Sequence, residues 1–349
     1  MTDLVANISN STDSPSAQFQ VDFIVYLQRL LIEGEFSATY KFGLLHALAD
    51  LCIEKQEGDD SRILLDELAA KFAELYWGHS LPYSETSESP DVLFQNNGAQ
   101  AKVLTQLRDV RDLNLHSFSR VKKSEQWRTI LASAKSTLKT GPLWRLQKLQ
   151  GKDECFFYPH IKGQKFIELN PGIVACFQRF YDLVVSLSRN HWLEKIRSIK
   201  LNHKLIGEGD LDSFLFGTQR ASLAKVKPVL FDIQKGQCFY CQKNLQQSKS
   251  QVDHFIPWAR YPHDLGHNFV LAHATCNNHK SDHLAAHVHS DRWHEQNIIL
   301  NGAALSSELD TYFTCDAKRS EAVATWAYRL AHQNGVSLWL SKNSFEPAI

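Results

Sequence analysis

Four residues that can bind a soft or borderline metal ion occur as two pairs with the same spacing. Two residues separate Cys238 from Cys241, and about thirty residues later His273 and Cys276 repeat that spacing. Together the pairs offer three thiolates and one imidazole, a set that matches the closed tetrahedral preference of structural zinc. A chance CxxC beside an unrelated His and Cys is the alternative, and the repeated spacing argues against it. The sequence therefore predicts a structural Zn²⁺ at these four residues.

The segment between and after these pairs carries residues suited to phosphodiester hydrolysis. An Asp-His pair lies on a predicted strand at 252–257 (VDHFIP), which the proline ends, and the segments 268–271 (NFVL) and 276–280 (CNNHK) follow. Hydrolysis needs a nucleophile from water, charge neutralisation on the phosphate and help for the leaving oxygen. Histidine can accept the proton of water near neutral pH. A hard cation with one or two protein oxygen ligands keeps positions open for phosphate and water.

This order of motifs resembles the HNH (ββα-metal, His-Me finger) endonuclease superfamily, in its zinc-containing CxxC…HxxC form. The pattern of that superfamily is a CxxC pair, a D-H-I/F-x-P strand, an N-[FL]-x-x-L segment and a C-[NH]-x-x-K helix, and residues 236–285 supply each element in order. Two positions depart from it: His273 stands where Cys is more frequent, and Asn277 stands where many relatives have His. The resemblance implies a ββα-metal fold, nuclease activity, and a catalytic Mg²⁺ or Mn²⁺ held by Asp253 and Asn277.

Roles for the single residues follow from the resemblance and from their chemistry. His254 is predicted to be the general base. Asp253 is predicted to ligate the catalytic cation, with orientation of His254 as its alternative role. Asn277 is predicted to be the second ligand, and Asn278, an amide one residue further on, is its rival. Asn268 is predicted to be one of the catalytic residues in an indirect way. We expect its side chain to fix the loop before the helix through hydrogen bonds to the backbone, and not to take part in the reaction itself.

Asp253 and His254 are neighbours on a strand, where successive side chains point to opposite faces. Simple alternation therefore predicts a local irregularity there, or a residue that acts from the back through a bound water. The sequence does not decide between the two.

Basic residues offer candidate contacts to a nucleic acid. Lys280 lies three residues beyond Asn277 on the same helical face, where it could contact phosphate or be solvated. His279 is a weaker candidate as a third ligand or phosphate contact. Residues 119–152 carry nine Lys and Arg against one acidic residue, and neutralising phosphates with such charges releases counterions. The candidate contacts in this stretch are Arg120, Lys122, Lys123, Arg128 and Arg145.

The charge of the chain is unevenly distributed. The total is zero, yet the first hundred residues hold 16 acidic against 5 basic side chains. A protein-interaction role is therefore possible for the acidic first hundred residues, and nucleic acid is the partner expected for the basic remainder. No stretch matches a phosphate-binding GxxxxGK[ST] loop, a signal peptide or a membrane span. Scattered cysteines with one metal-like cluster favour a reducing compartment, so we predict a cytoplasmic protein.

Apolar residues at i, i+3, i+4 and i+7 spacing predict the elements that surround the motif. Helices are predicted near 21–34, 38–56, 62–78, 98–112 and 124–139, a β-hairpin near 155–169, one long buried helix over 172–199 and a C-terminal helix over 321–335. The fold class is α+β: a mainly helical N-terminal region, a ββα-metal HNH module with a structural zinc, and C-terminal helices. The predicted domains are a flexible leader at 1–18, a helical targeting or interaction domain at 19–208, and a nuclease domain at 209–349.

Two functions from different classes are compatible with these residues. The first is an HNH endonuclease that cuts nucleic acid, DNA rather than RNA being favoured. Large helical regions fused to HNH modules resemble bacterial restriction and phage-defence nucleases, which implies such a role here. The second is a catalytically inactive, zinc-stapled module that only binds nucleic acid. Such a binder needs neither the Asp253-His254 pair nor Asn277, so their presence favours the nuclease.

Overall fold

A computed structural model describes residues 15–55, 61–83, 91–113, 115–207, 209–217 and 220–348. The chain divides into two compact units. Among the described residues, the N-terminal unit comprises those within 15–115 and 121–217, and the C-terminal unit comprises those within 116–120 and 220–348. Most of the predicted leader lies outside the described residues, and Ala17 and Gln18 already belong to the first helix.

Helices build most of the first 217 residues. They are α1 (Ala17–Glu33), α2 (Tyr40–Glu54), α3 (Leu65–Gly78), α4 (Lys102–Arg111), α5 (Phe118–Lys123), α6 (Trp127–Thr140), α7 (Pro142–Arg145), α8 (Ile173–Arg179), α9 (Tyr181–Ser198) and α10 (Leu211–Phe216). In the core of the N-terminal unit, α2 packs against α3, α8 and α9. A helix that is apolar around its circumference is expected in a core, and the segment GLLHALADLCI of α2 is buried throughout.

Two short antiparallel pairs accompany these helices. Strand β1 (Arg62–Leu64) pairs with β4 (Phe166–Glu168), and β2 (Lys148–Leu149) pairs with β3 (Lys152–Asp153). The prediction of a β-hairpin near 155–169 is therefore wrong. Its second arm pairs with a strand about a hundred residues earlier, while the backbone N–H of Phe157 in its first arm donates to the Gln147 side chain at 2.6 Å. The aromatic residues of this segment reflect burial rather than local pairing.

The long helix predicted over 172–199 is also interrupted. It is two helices, α8 and α9, which meet at Phe180. Phe180 has φ −108° and ψ 23°, outside the helical region. Its ring stacks with Phe23 of α1 at 6.0 Å, a packing partner that the periodicity of the segment does not reveal.

The C-terminal unit contains the ββα arrangement expected from the sequence, followed by helices. Its elements are α11 (Arg220–Ile233), β5 (Ser250–His254), β6 (Phe269–His273), α12 (Ala274–Lys280), α13 (His287–Trp293), a π-helical continuation (His294–Leu300), α14 (Gly302–Leu309), α15 (Ala317–Gln333), β7 (Ser337–Ser341) and β8 (Ser344–Pro347). Thus the predicted fold class is confirmed. The terminal hairpin β7–β8 is an addition that the sequence did not predict.

Several contacts fix the ββα arrangement in place. Strands β5 and β6 are antiparallel over five pairs, from Ser250 opposite His273 to His254 opposite Phe269. At the end of α11 the Gln234 side chain makes two hydrogen bonds to the backbone of Leu271 in β6, at 2.7 and 2.8 Å. On the other side α12 packs against β5, β6 and β7. Among the helices of the described ranges, none is both long and apolar enough to cross a membrane.

Candidate metal centre and active-site cleft

The four predicted zinc ligands come together in one cluster. The ligand atoms of Cys238, Cys241, His273 and Cys276 all lie within 4.8 Å of one another. The first two lie on a knuckle between α11 and β5, His273 ends β6, and Cys276 lies in the first turn of α12. The antiparallel hairpin and the following helix therefore bring the two pairs into register.

The spacing of the donor atoms fits a tetrahedral zinc ion. Bond lengths of about 2.3 Å to sulfur and about 2.05 Å to nitrogen imply a sulfur–nitrogen separation of about 3.6 Å. The distance between Cys241 Sγ and His273 Nδ1 is 3.4 Å. The other ring nitrogen, Nε2, lies 3.1 Å from the Asn244 backbone oxygen. Donation of Nε2–H to that carbonyl leaves Nδ1 as the metal-binding nitrogen, the orientation that an outer hydrogen bond commonly gives a ligating histidine.

The electrostatics of the cluster also call for a cation. Burial raises the pKa of Cys276 to about 12, and negative charge on Cys238 and Cys241 adds to the rise. Burial acts in the same direction on Cys241, but hydrogen bonds from the Lys243 backbone and the cluster neighbours lower its pKa. Three thiolates so close together are stable only around a positive ion, and the Cys3His donor set is consistent with a structural Zn²⁺.

A separate cleft of about 440 Å³ adjoins this cluster and opens to solvent. It is lined by Asp253, His254, Pro257, Trp258, Asn277, Asn278, Ser281 and Asp282. The structure therefore brings together four residues singled out from the sequence: Asp253, His254, Asn277 and Asn278. Asn268, Lys280 and His279 do not line the cleft.

Asp253 is held by two buried donors. The hydroxyl of Tyr240 donates to Asp253 Oδ2 at 2.5 Å, and the ammonium of Lys280 lies 3.2 Å from the same oxygen. The side chain of Asp253 is 11% exposed. Burial raises the pKa of Tyr240 well above its ordinary value, and the negative charge of Asp253 raises it further. The phenol is therefore a hydrogen-bond donor at neutral pH.

His254 has a different partner. Its Nε2 lies 2.7 Å from Oδ1 of Asp264, and the two side chains are 13% and 15% exposed. The ring also contacts Trp258 and Phe269, with centroids at 5.3 and 5.1 Å. A carboxylate can only accept hydrogen bonds, so the proton of the neutral imidazole lies on Nε2. This leaves Nδ1 as the nitrogen that can accept a proton.

Asp253 and His254 were expected to point to opposite faces of the strand, and yet both line the same cleft because they lie at the end of the strand. The β5–β6 register continues through both residues, and the side chains hydrogen-bond to different partners, as alternation requires. Strand β5 ends at His254. There the chain turns away, so both side chains contribute to the wall of one cleft.

Asn268 connects the two ends of the loop between β5 and β6. Its side chain accepts from the backbone N–H of Ile256 at 2.8 Å and donates to the Ile256 carbonyl at 2.9 Å. Gly266 in the same loop approaches Cys315 so closely that a Cβ atom would lie 2.5 Å from Sγ. The loop that carries Trp258 and Asp264 is thus fixed at its ends, and Asn268 acts on the backbone.

The two asparagines of α12 differ in their contacts. The side-chain nitrogen of Asn277 donates to Gln251 Oε1 on β5 at 3.0 Å. Asn278 is exposed. Both line the cleft, so the choice of Asn277 as the ligand stays a prediction.

Lys280 differs most from its predicted role. We expected a phosphate contact or a solvated lysine, but its side chain is fully buried and donates to the His254 backbone oxygen at 3.0 Å as well as contacting Asp253. The prediction that Lys280 contacts phosphate is therefore wrong. His279 is exposed on the same helix.

The other candidate nucleic-acid contacts are exposed side chains. Arg120 belongs to the C-terminal unit, where its guanidinium donates to Thr311 at 2.9 Å and lies 3.4 Å from Asp310. Lys122, Lys123, Arg128 and Arg145 are exposed residues of the N-terminal unit. Their contact with nucleic acid stays a prediction.

Sequence reasoning missed two residues that contact the predicted catalytic pair, namely Tyr240 beside Asp253 and Asp264 beside His254. Tyr240 lies between the two cysteines of the first zinc pair, and Asp264 lies four residues before Asn268. The sequence offered their chemistry but no indication of what they would contact, because each acts across a loop or between elements.

Comparison with known families agrees with this geometry. Residues 238–286 match the family model of the HNH endonucleases. Neither the curated proteins nor the solved structures contain a significant match to the chain. The family match, the ββα arrangement and the Cys3His cluster identify residues 238–286 as an HNH endonuclease domain.

Proposed function

We propose that this chain is a metal-dependent endonuclease that hydrolyses phosphodiester bonds in nucleic acid, with DNA as the favoured substrate. The observation that carries this proposal is the convergence of Asp253, His254 and Asn277 on one solvent-open cleft. A module that only binds nucleic acid does not require a carboxylate, an imidazole and an amide to meet in this way. The family match at 238–286 supports the same activity.

His254 is the general base in this proposal. Asp264 holds the proton of the imidazole on Nε2, so Nδ1 can take a proton from water as the water oxygen bonds to phosphorus. The bond between phosphorus and the bridging oxygen then breaks, and the leaving oxygen takes a proton from solvent water, while His254 later returns its proton to solvent. General-base catalysis of this type contributes about 10²- to 10⁴-fold in rate. The contacts with Trp258 and Phe269 restrict the ring to one orientation.

Asp253 and Asn277 fit a catalytic Mg²⁺ or Mn²⁺. A carboxylate and an amide carbonyl are hard oxygen donors, which such cations prefer. The bond from Asn277 Nδ2 to Gln251 leaves Oδ1 as the atom that can ligate. When bound, such a cation neutralises the charge that develops on the scissile phosphate and on the leaving oxygen.

The remaining features give this activity its context. The Cys3His zinc is structural, and its thiolates suit the cytoplasm, where cysteines stay reduced. We propose that the exposed basic residues Arg120, Lys122, Lys123, Arg128 and Arg145 bind the backbone of the substrate. The acidic N-terminal helices are available to a protein partner. Restriction or phage defence is the biological role proposed, by analogy with other helical proteins fused to HNH modules.

A plasmid-cleavage assay tests the activity. The full chain is incubated with supercoiled plasmid DNA and with structured RNA, in Mg²⁺, Mn²⁺ or EDTA, beside His254→Ala. We expect divalent-dependent cleavage of the DNA and a loss of about 10²- to 10⁴-fold in His254→Ala. His332→Ala is the matched control, because it removes an imidazole at the end of α15. Equal cleavage by wild type and His254→Ala would overturn the assignment of the general base to His254. Binding of DNA and RNA without cleavage in any of these metals would favour the inactive binding module.

A further inference from the structure

One oxygen of Asp253 is held from two sides inside the protein. Oδ2 accepts the hydroxyl of Tyr240 at 2.5 Å and lies 3.2 Å from the ammonium of Lys280. Tyr240 is 4% exposed and Lys280 is fully buried. A carboxylate oxygen has two lone pairs, so these two donors occupy Oδ2 and leave Oδ1 for the cleft. Hydrogen bonds that are shielded from water are also electrostatically stronger.

The two donors come from the two halves of the zinc cluster. Tyr240 lies between Cys238 and Cys241, and Lys280 is the last residue of α12, four residues after Cys276. The ring of Tyr240 stands edge-on to His289 and Trp339, with centroids at 5.4 and 5.2 Å. This packing prevents the phenol from turning away from Asp253.

Lys280 also fixes the strand on which Asp253 lies. Its ammonium donates to the backbone oxygen of His254 at 3.0 Å. A shift of α12 would therefore disturb the Asp253 side chain and the end of β5 together. The metal-binding knuckle, the helix and the catalytic strand are linked through these two side chains.

We propose that Tyr240 and Lys280 are positioning residues that hold Oδ2 of Asp253, so that Oδ1 alone is presented to the divalent cation, and that the zinc cluster thereby sets the affinity of the cleft for that cation. This inference rests on the proposed function, in which Asp253 ligates the cation. It gives the zinc a role beyond folding, because the zinc ligands and the two donors lie on the same knuckle and the same helix.

The zinc-loaded full-length Tyr240→Phe variant tests the proposal. Phenylalanine keeps the packed ring and removes only the hydroxyl, so the Asp253 carboxylate can rotate. Loss of an outer hydrogen bond to a metal ligand typically costs 10- to 100-fold in metal affinity or activity. We expect the dissociation constant for Mn²⁺, measured by the electron paramagnetic resonance of free Mn²⁺, to rise about tenfold or more. The cleavage rate at saturating Mn²⁺ should stay near that of wild type, and one zinc per chain should remain.

Tyr328→Phe is the matched control. It removes another buried phenol of the C-terminal unit, whose hydroxyl donates to the Ala285 carbonyl at 2.7 Å. Its Mn²⁺ affinity should equal that of wild type. An equal loss of affinity in Tyr328→Phe and Tyr240→Phe would overturn the proposal, because the effect would then be general to buried phenols of this unit.

Asp253→Ala separates the remaining outcomes. If Asp253→Ala loses Mn²⁺ binding while Tyr240→Phe retains it fully, the positioning role is overturned and the proposed function stands. If neither variant changes Mn²⁺ binding, the assignment of the cation to Asp253 fails, and the positioning role fails with it.

A measurement on the wild-type sequence covers the case in which Tyr240→Phe does not retain its zinc. The protein is labelled with 3-fluorotyrosine, and its fluorine resonances are followed during a Mn²⁺ titration. We expect one resonance to broaden at the lowest Mn²⁺ concentrations in the wild-type sequence and not in Asp253→Ala. Uniform behaviour of all the tyrosine resonances would overturn the proposal.

Discussion

The pairing of His254 with Asp264 leads to a quantitative prediction for Asp264→Asn. The substitution keeps the size of the side chain but removes the negative charge 2.7 Å from His254 Nε2, where both side chains are at most 15% exposed. A hydrogen bond to a charged group contributes about 1.5–3 kcal/mol. Since about 1.4 kcal/mol corresponds to a factor of ten, the cleavage rate should fall about 10- to 150-fold. An amide that turned its NH₂ group toward the ring would hold the wrong tautomer and enlarge the loss toward about 10⁴-fold.

Single-turnover nicking of supercoiled plasmid at saturating Mn²⁺ measures this effect. Zinc content and melting temperature establish that Asp264→Asn is folded. Glu295→Gln is the matched control, because it removes one negative charge from an exposed side chain of the same unit, and it should cleave like wild type. A folded Asp264→Asn that cleaves within about twofold of wild type would refute the reasoning, since the imidazole would then not need Asp264 to set its tautomer.

Two further predictions concern stability and metal content. Cys238→Ser should lose about one zinc per chain and unfold the C-terminal unit, because structural zinc contributes about 10–16 kcal/mol, comparable to or greater than the roughly 5–15 kcal/mol of net stability in most proteins. Metal analysis and circular dichroism check this against Cys155→Ser, which lies outside the cluster, and unchanged zinc content would contradict it. Lys280→Met should lower the free energy of unfolding in urea by about 3–5 kcal/mol, because it breaks a buried ion pair. In Lys280→Met the salt dependence of DNA binding should stay unchanged, whereas the loss of a phosphate contact would reduce the slope of log affinity against log salt concentration by about one. An unaltered free energy of unfolding would contradict the buried ion pair between Lys280 and Asp253.

The parts of the site that the sequence predicted are those defined by local spacing. Cys238 and Cys241 must lie on one turn, and His273 and Cys276 lie where a strand passes into a helix, so two spacings define the cluster. The Asp253-His254 pair and Asn277 follow because residues at the end of a strand and in the first turns of the next helix are close in any ββα unit. Little tertiary information is needed for these predictions.

The parts that the sequence did not predict depend on contacts between distant segments. Asp264 reaches His254 only because the loop from Phe255 to Asn268 folds back on itself, and nothing in its spacing shows that path. Lys280 was expected in solvent because lysine is almost never fully buried without a partner, and the partner, Asp253, comes from a strand that precedes it by more than twenty residues. Strand β4 was assigned to a local hairpin for the same reason, since its partner β1 lies about a hundred residues earlier.

The small size of the ββα unit explains why Asp253 and His254, the residues to which we assign catalysis, are held by contacts from several other segments. Two five-residue strands and a seven-residue helix are too small to be stable alone, because an isolated hairpin is at best marginal in water. The zinc cluster joins the knuckle, the end of β6 and the start of α12, and so fixes one side of the unit. The Asn268 bonds to Ile256 close the loop on the other side. Asp253 is held from the zinc side through Tyr240 and Lys280, and His254 from the loop side through Asp264. The proposed cation ligand, Asp253, and the proposed base, His254, are therefore positioned by different parts of the fold. Tyr240→Phe should change the affinity for the cation, whereas Asp264→Asn should change the rate at saturating cation.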